Sequence, residues 1–405
     1  MQIADIQAYN LSSPLDPPRE YQLYNGRRRI LKRDLVLVTV ETVSGEIGYA
    51  PVDASSSVMR EFSNDGSLDK FVDVIERAIA PSLKREVITS IKTVGKIIRQ
   101  TRLSQQFKSR SIAALDIALH DIKGKQNGVP VYELLSEKDE ITSEVPLYAS
   151  GGMYLPPVEM AAEAKSIMEA GFKGYKYHAG RGPVEDREMI RRVHAAVGDQ
   201  IDIMVDGHTW WGLEQRSYDS NTIVELVSDH EEYGVRWVEE PIEPSDHERY
   251  ASIASQTGVP LAGGESKAMP EDLIEFASVG GVDYLQGDVR QHCGFSGCLR
   301  VIEYCRGAPV TFVPHHFGTE LGLIANAHLA AATPGTPFLE YPIYEDDSTS
   351  GMYPNPLATD ILSSSLEIKN GMLVLSDKPG LGIEVNHDVI EKYPYVDGPW
   401  TEFVS

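Results

Sequence analysis

A repeat of short apolar strands and amphipathic helices, beginning near residue 145, constrains the fold most strongly. The predicted strands read VPLYAS, GYKYHA, IDIMVDGH, VRWVEEP, LAGGES, YLQGDV, VTFVPHH and FLEYP. Sequences typical of helices, such as PVEDREMIRRVHAAVG and CLRVIEYCRGA, separate them. Eight strands in βα alternation predict a (β/α)8 barrel, whose active groups lie at the carboxyl ends of the strands. An open doubly wound sheet would need a glycine-rich phosphate loop after its first strand, and ASGGMY is a weak candidate.

The segments that flank this repeat have a different character. Before it, two strand-like runs read MQIADIQAYNL and RDLVLVTVETVSGEIGYA, and a helical run reads SRSIAALDIALHDIKGKQNG. After it, LEIKNGMLVLSDKPGLGIEV is strand-like and is expected to pack back on the first domain. We therefore predict an α+β domain over residues 1–125, a barrel over 126–368, and a returning segment over 369–405.

The charge and composition exclude several classes of partner. The net charge is -23, from 60 acidic and 37 basic residues, which argues against nucleic acid and anionic membranes as partners. Apolar runs are all shorter than the roughly 18 residues of a membrane span, and the first residues lack the features of a secretory leader. The three cysteines have no CxxC spacing and are typical of thiols in a reducing compartment. The prediction is a cytoplasmic protein.

Polar residues close the predicted strands. They are Lys176, His178, Asp206, His208, Glu239, Glu240, Glu265, Asp288, His315, His316 and Glu340. From Asp206 to Glu340, one such group recurs at steps of 33, 26, 23, 27 and 25 residues. Each step is close to one βα unit of a barrel that has about 250 residues in eight units. We expect these side chains to converge on one mouth.

Three of these groups form a candidate metal site. Asp206, Glu239 and Glu265 are carboxylates on successive strands, and such hard oxygen ligands suit Mg2+. Each acid alone is more typical of a salt bridge or a helix cap, but their common phase with the βα repeat favours a metal site. Asp288 and His315, one strand apart, suggest a carboxylate that holds an imidazole in one tautomer.

Lys176 and His178 stand two residues apart at the end of one predicted strand. Residues i and i+2 of a strand point to the same face, so an ammonium and an imidazole would enter the same space. Beside a metal ion and a lysine, the pKa of His178 should be lowered and its imidazole neutral.

The ordered motifs resemble those of the enolase superfamily. They are KYH, VDGH, WVEEP, GGE, GDVRQHCGFSG, VPHH and FLE, with the helix SIAALDIALHDIKGK and the tail KPGLGIEV. Within the superfamily the chain is most similar to the mandelate racemase-like subgroup, which includes many acid-sugar dehydratases. The resemblance covers nearly the whole chain. It implies an α+β capping domain, completed by C-terminal residues, on a modified TIM barrel of the form (β/α)7β, and a homo-oligomer.

The resemblance also implies roles for individual residues. Metal ligation falls to Asp206, Glu239 and Glu265, with Mg2+ or alternatively Mn2+ as the cation. A histidine–aspartate dyad is implied at His315 and Asp288, and an electrophilic carboxyl group at Glu340. Where the subgroup usually has Lys-x-Lys, this chain has Lys176-x-His178. His208 stands two residues after the first metal ligand, as in some acid-sugar dehydratases. Proton transfer on that face therefore belongs to Lys176, His178 or His208.

The predicted function is that of a hydro-lyase: β-elimination of water from an aldonate or aldarate to give a 2-keto-3-deoxy acid. The same groups could instead racemise or epimerise a 2-hydroxy acid, and a non-catalytic barrel would bind no divalent metal. Zinc hydrolase chemistry is disfavoured because the candidate ligands are all carboxylates. The segment DPPREYQLYNGRRRILKRD is predicted as a loop whose arginines and tyrosines contact the substrate, face solvent or join subunits.

Overall fold

The computed structural model describes residues 1–24, 26–53, 70–84, 86–88, 90–136, 141–212, 217–344 and 352–404. In these residues the strands form two sheets, a four-stranded antiparallel sheet and a larger, mainly parallel one. The first belongs to the capping domain and the second to the barrel.

The capping sheet is built on a long antiparallel hairpin. Strands β1 (Ile3–Leu23) and β2 (Gly26–Thr42) form the hairpin, and β3 (Ile47–Asp53) pairs with β2. The sheet packs on the helix Gln105–Asn127, which was predicted from its apolar face. Its first turn is capped by Ser104, whose Oγ accepts a hydrogen bond from the Phe107 amide, and it ends at Gly128 with a φ of +70°.

The segment that was predicted as a loop is part of this hairpin, so that prediction is wrong. Residues Arg19 to Leu23 pair with Gly26 to Ile30, beyond an irregularity in the ladder after Pro14. Across the two strands, Glu20 pairs with both Arg27 and Arg29. Charged side chains on the exposed face hide the alternation of apolar and polar residues by which a strand is normally recognised.

The barrel consists of eight parallel strands in consecutive order. They are β4 (Glu144–Met153), β5 (Gly174–His178), β6 (Asp202–Asp206), β7 (Trp237–Glu239), β8 (Leu261–Gly263), β9 (Tyr284–Gly287), β10 (Thr311–Pro314) and β11 (Leu339–Pro342). The last strand returns to pair with β4 and also contacts β10. This order rules out a doubly wound sheet, and each predicted barrel strand is present.

One main helix lies between each pair of successive barrel strands. The helices are Pro157–Glu169, Pro183–Val197, Ser220–Asp229, His247–Gln256, Pro270–Val279, Gly294–Cys305 and Glu320–Ala332. Seven helices between eight strands give the (β/α)7β form, which confirms the predicted fold.

The remaining helices are short. They are Phe71–Asp73, the π-helix Val74–Ile79, Ala80–Leu83, Ile91–Arg99, Val131–Leu135, Gly198–Gln200, His208–Trp211, Glu231–Tyr233, Pro356–Asp360 and Val389–Lys392. None of the helices within the described ranges has the length and apolar character needed to cross a membrane.

The C-terminal residues reach both domains. Strands β12 (Ile368–Lys369) and β13 (Met372–Val374) form a small hairpin that pairs with β4 of the barrel. Further on, the Leu381 amide donates to Asp121 Oδ1 at 2.9 Å, and β14 (Thr401–Val404) joins the capping sheet beside β2. The tail is thereby tied to the capping sheet, while the domain boundaries at 125 and 368 stay predictions.

Candidate active site

Seven of the nine predicted site residues line one cavity of about 370 Å³ at the carboxyl ends of the barrel strands. They are Lys176, His178, Asp206, His208, Glu265, His315 and Glu340. The other two, Glu239 and Asp288, are fully buried directly behind the cavity wall. Glu239 contacts Lys176, and Asp288 contacts His315. The predicted side chains are therefore brought together at one cavity, as expected from their spacing in the βα repeat.

Lys176 lies between two carboxylates. Its Nζ is 2.9 Å from Glu239 Oε2, 2.8 Å from Glu340 Oε1 and 3.9 Å from Asp206 Oδ2. Burial alone would lower the pKa of this ammonium, but the charges of Glu239 and Glu340 outweigh burial and hold the pKa well above its ordinary value. Lys176 is a fixed positive charge in this arrangement.

His178 has the opposite character. Its Nδ1 is 2.8 Å from the Gly151 carbonyl oxygen, and since a carbonyl can only accept, the proton lies on Nδ1. The unprotonated Nε2 then faces Asp206 Oδ2 at 3.5 Å. Burial, assisted by Lys176 and His208, lowers the pKa of His178 to about 4. This direction agrees with the neutral imidazole that was expected, and burial is its largest cause.

His208 follows Asp206 by two residues and opens the short helix His208–Trp211. Its Nδ1 lies 2.7 Å from Asp206 Oδ1, and its backbone amide donates to the same oxygen at 3.0 Å. Burial opposes the charged form, but Asp206 outweighs burial and raises the pKa of His208. Its Nε2 lies 3.4 Å from the Tyr154 hydroxyl at the cavity wall.

His315 and Asp288 form the predicted dyad. His315 Nδ1 lies 3.1 Å from Asp288 Oδ2, and Asp288 also accepts hydrogen bonds from Arg290 Nε at 3.1 Å and Asn326 Nδ2 at 3.0 Å. These partners outweigh burial and keep the pKa of Asp288 well below its usual range. On the cavity side, His315 Nε2 lies 2.7 Å from Glu265 Oε2. The charges of Glu265 and Glu340 raise the pKa of His315 against the effect of burial.

The three candidate metal ligands lie at or just after the ends of three successive barrel strands, Asp206 and Glu265 in the cavity lining and Glu239 behind it. Asp206 and Glu239 end β6 and β7, and Glu265 follows β8 by two residues. Burial and the neighbouring carboxylates Asp206 and Glu340 raise the pKa of Glu239 against the pull of Lys176. The excess of buried negative charge and the all-oxygen donor set fit Mg2+.

Each of these carboxylates is paired with a different basic side chain: Asp206 with His208, Glu239 with Lys176, and Glu265 with His315. Within the part of the chain that the structure describes, no group of three or more Asp, Glu, His or Cys side chains is placed so that it could hold a metal ion. The donors fit Mg2+ by type and by position on neighbouring strands.

The cavity is also lined by seven residues that were not among the nine predicted site residues, two of them arginines of the segment for which substrate contact was one predicted alternative. They are Arg28, Arg33, Asp34, Met153, Gln291, Phe317 and Trp400. Arg28 and Arg33 come from β2, whereas Trp400 comes from the tail. For Arg28 alone there was a sequence signal, the run Arg27-Arg28-Arg29, because a strand places the middle residue on the opposite face.

Two tryptophans that follow Asp206 in the sequence, Trp210 and Trp211, have structural roles. Trp210 is fully buried and its Nε1 donates to Asp186 Oδ2 at 3.1 Å. Trp211 Nε1 donates to the Glu240 carbonyl at 2.8 Å. These bonds fix the loop after β6 on its neighbours and so position His208.

Comparison with known families gives two matches that together cover most of the chain. Residues 159–389 match the family model described as enolase C-terminal domain-like. Residues 25–136 match the mandelate racemase/muconate lactonizing enzyme N-terminal domain.

Individual proteins match along nearly their whole length. A D-galactarolactone cycloisomerase of Agrobacterium fabrum is 27% identical over 98% of this chain and 100% of its own. An arabinonate dehydratase of Saccharolobus solfataricus is 28% identical over 89% of this chain and 90% of its own. Among solved structures, an enolase superfamily member from Polaromonas sp. JS666 is 26% identical, with a TM-score of 0.83 over 98% of this chain and 99% of its own.

Proposed function

The chain belongs to the enolase superfamily, in its mandelate racemase-like group that contains acid-sugar dehydratases, and from this premise we propose that it is a Mg2+-dependent dehydratase of an aldonate or aldarate. The reaction removes a proton from C2 and a hydroxyl group from C3. The resulting enol tautomerises to a 2-keto-3-deoxy acid, and one water is released.

The observation that carries this proposal is the set of three imidazoles, His178, His208 and His315, around one cavity with the candidate metal ligands. Removal of the weakly acidic C2 proton needs a base, and departure of the C3 hydroxyl needs a proton donor. A cavity with several imidazoles can supply both, each held by a different partner.

The dyad is assigned to the C2 proton. Asp288 holds His315 through Nδ1, so that Nε2 is directed to the cavity, where it contacts Glu265 at 2.7 Å and would be released when Glu265 holds a metal ion. Lys176 and Glu340, 2.8 Å apart, line the same cavity and would contact the substrate carboxylate. Negative charge that develops on the carboxylate oxygens is stabilised by the Lys176 ammonium, which Glu340 holds in place as a carboxylate because Lys176 and His315 outweigh burial and lower the pKa of Glu340 to about 2.

His208 is assigned to the leaving hydroxyl. Asp206 holds its Nδ1–H and favours the charged imidazole, which leaves Nε2–H as the proton donor at the cavity. Asp206, Glu239 and Glu265 would hold the metal, and a bound Mg2+ supplies positive charge that makes the C2 proton more acidic.

The geometry indicates different roles for Lys176 and His178. Lys176 is held in two ion pairs and serves as a charge, whereas His178 presents an unprotonated Nε2. A neutral imidazole at this position favours a second candidate function, racemisation or epimerisation. In that reaction His315 acts on one face of C2 and His178 on the other.

A panel of aldonic and aldaric acids, with their lactones included because one relative is a lactone cycloisomerase, tests the proposal in the presence of Mg2+. A dehydratase forms 2-keto-3-deoxy acids from at least one member. If C2 protons exchange with deuterium and no keto acid forms, the dehydratase proposal is wrong and the racemase is favoured. A homo-oligomer, the cytoplasmic location and the three-part domain division stay predictions.

A further inference from the structure

Three consecutive arginines on β2 have two different environments. Arg27 Nη1 lies 3.0 Å from Glu20 Oε2, and Arg29 lies 2.6 Å from Glu20 and 2.8 Å from Glu402. Both side chains are on the outer face, and their ion pairs are partly exposed. Arg28, between them, points through the sheet to the cavity.

Arg28 is buried, with 8% of its surface exposed. Its Nη1 donates to the Tyr154 hydroxyl at 2.6 Å and its Nε to Thr401 Oγ1 at 3.3 Å. The guanidinium carbon lies 4.9 Å from the centre of the Trp400 ring. Among the described residues, no carboxylate forms an ion pair with Arg28, and its Nη2 group makes no hydrogen bond to them.

Burying a cation without a counter-ion costs free energy, so a buried and unpaired guanidinium indicates that an anion binds there. Lys32, on the same strand, is a buried cation that does have a counter-ion. Its Nζ lies 3.0 Å from Asp34 Oδ2, and both side chains are buried. Arg28 differs from Lys32 because its remaining donors open on the cavity. A planar guanidinium fork matches the two oxygens of a carboxylate.

The position of Arg28 relative to the proposed chemistry is defined by a chain of contacts. The Tyr154 hydroxyl lies 2.6 Å from Arg28 Nη1 and 3.4 Å from His208 Nε2, and His208 Nδ1 lies 2.7 Å from Asp206. Arg28 is thus separated from a candidate metal ligand by one phenol and one imidazole. Arg33 lines the same cavity, against the rings of Trp400 and Phe317.

We infer that Arg28 binds the distal carboxylate of a dicarboxylic acid sugar, so that the substrates are aldarates rather than aldonates. This inference rests on the proposed function, in which the first carboxylate binds near Lys176 and Glu340. The two ends of the cavity would then hold the two ends of a di-acid. An aldonate places an uncharged hydroxymethyl group at Arg28 and leaves the guanidinium without an anion.

The test compares aldarates with aldonates of the same configuration, which differ only at the distal carbon. Keto-acid formation, exchange of the C2 proton and equilibrium binding by calorimetry are measured for each pair with Mg2+ present. We expect the aldarate to be preferred in kcat/KM and in affinity. Arg28→Gln should lower both for the aldarate by about 30-fold or more and lower the aldonate values by a clearly smaller factor.

Two further variants separate recognition from folding. Arg28→Lys keeps the charge without the fork and should give an intermediate loss for the aldarate. Arg27→Gln is the matched control on the same strand, because its side chain is outside the cavity, and it should leave all values unchanged. The unfolding midpoint of each variant shows whether the fold is retained.

The outcomes distinguish this inference from the proposed function. Keto acid formed from aldonates and aldarates alike, with no effect of Arg28→Gln, overturns the di-acid assignment and keeps the dehydratase. Exchange without keto acid, limited to aldarates and sensitive to Arg28→Gln, supports the di-acid assignment while the dehydratase fails. A preference for an aldonate that carries a distal phosphate, or the absence of both turnover and binding for every aldarate, overturns the inference.

Discussion

Two adjacent layers of the barrel interior have opposite characters. The lower layer is apolar and contains Tyr148, Met204, Trp237, Ala262 and Val313. Two residues further along three of the same strands, about 7 Å higher, stand Asp206, Glu239 and His315. One step of the strand repeat separates a core that holds the barrel together from a site filled with charge.

The two layers therefore have different roles: the lower one stabilises the barrel and the upper one carries the proposed chemistry. The lower layer excludes water and contributes burial of large side chains, Trp237 among them. The upper layer gathers Asp206, Glu239, Glu265 and Glu340 around one cavity, where like charges oppose one another. Substitutions in the two layers should therefore change different properties.

The largest contrast is expected on β7. Glu239→Gln should lower kcat/KM by about 10³-fold or more, because it removes a candidate metal ligand. The variant should melt at or above the wild-type midpoint, because the pKa of Glu239 is raised and its charged form is disfavoured by the fold. Trp237→Ala should instead cost about 3–5 kcal/mol in the free energy of unfolding.

Thermal or denaturant unfolding and steady-state kinetics on the same preparations measure both properties. If Glu239→Gln unfolds the protein while Trp237→Ala retains its stability, the assignment of roles to the two layers is wrong.

The next effect concerns the dyad at β9 and β10. His315→Asn should lower the rate of keto-acid formation by about 10² to 10⁴-fold, as expected for loss of a general base. Its neighbour gives the matched control: His316 does not line the cavity, although its backbone amide donates to Glu340 at 3.0 Å. If His316→Asn, with its fold retained, loses as much activity as His315→Asn, the dyad is wrongly placed.

Lys176 and His178 should give smaller effects of two kinds. Lys176→Met removes a positive charge between Glu239 and Glu340 and should lower both proton exchange and dehydration across the pH range. His178→Asn should alter the pH dependence of exchange on its face of C2 and spare dehydration. The pH–rate profiles of the two variants test this, and full activity of both would leave the chemistry to His208 and His315.

The smallest predicted change is in the stability of the wild-type protein. Mg2+ that binds the folded state at 100 times its dissociation constant should raise the free energy of unfolding by about 2.7 kcal/mol. Glu239→Gln should lose most of this increment. Equal stabilisation of the two proteins by Mg2+ would show that the ion binds elsewhere.

Much of the barrel could be predicted from the sequence, and much less of the capping domain. Barrel strands such as VRWVEEP are buried on both sides and end in a polar group at the mouth, so each carries its own signal. The hairpin of β1 and β2 carries charges on its outer face, and cross-strand pairs such as Glu20 with Arg27 exist only after folding.

For the same reason, some residues of the site could be predicted from the sequence and others could not. Asp206, Glu239 and Glu265 share the phase of the βα repeat, which is visible in the sequence. Arg28, Tyr154 and Trp400 meet at the cavity from the capping hairpin, the end of β4 and the tail, and no spacing relates them. The positions of protons could not be predicted from the sequence either, because the tautomer of His178 depends on its contact with the Gly151 carbonyl.

The central claim is that loss of the C2 proton leads to loss of the C3 hydroxyl group. Proton NMR of an aldarate in D2O, with the protein and Mg2+, tests this most directly. The account predicts that the C2 proton signal disappears while a C3 signal of a 2-keto-3-deoxy acid grows, with one deuterium incorporated at C3. Disappearance of the C2 signal with the C3 hydroxyl retained would contradict it.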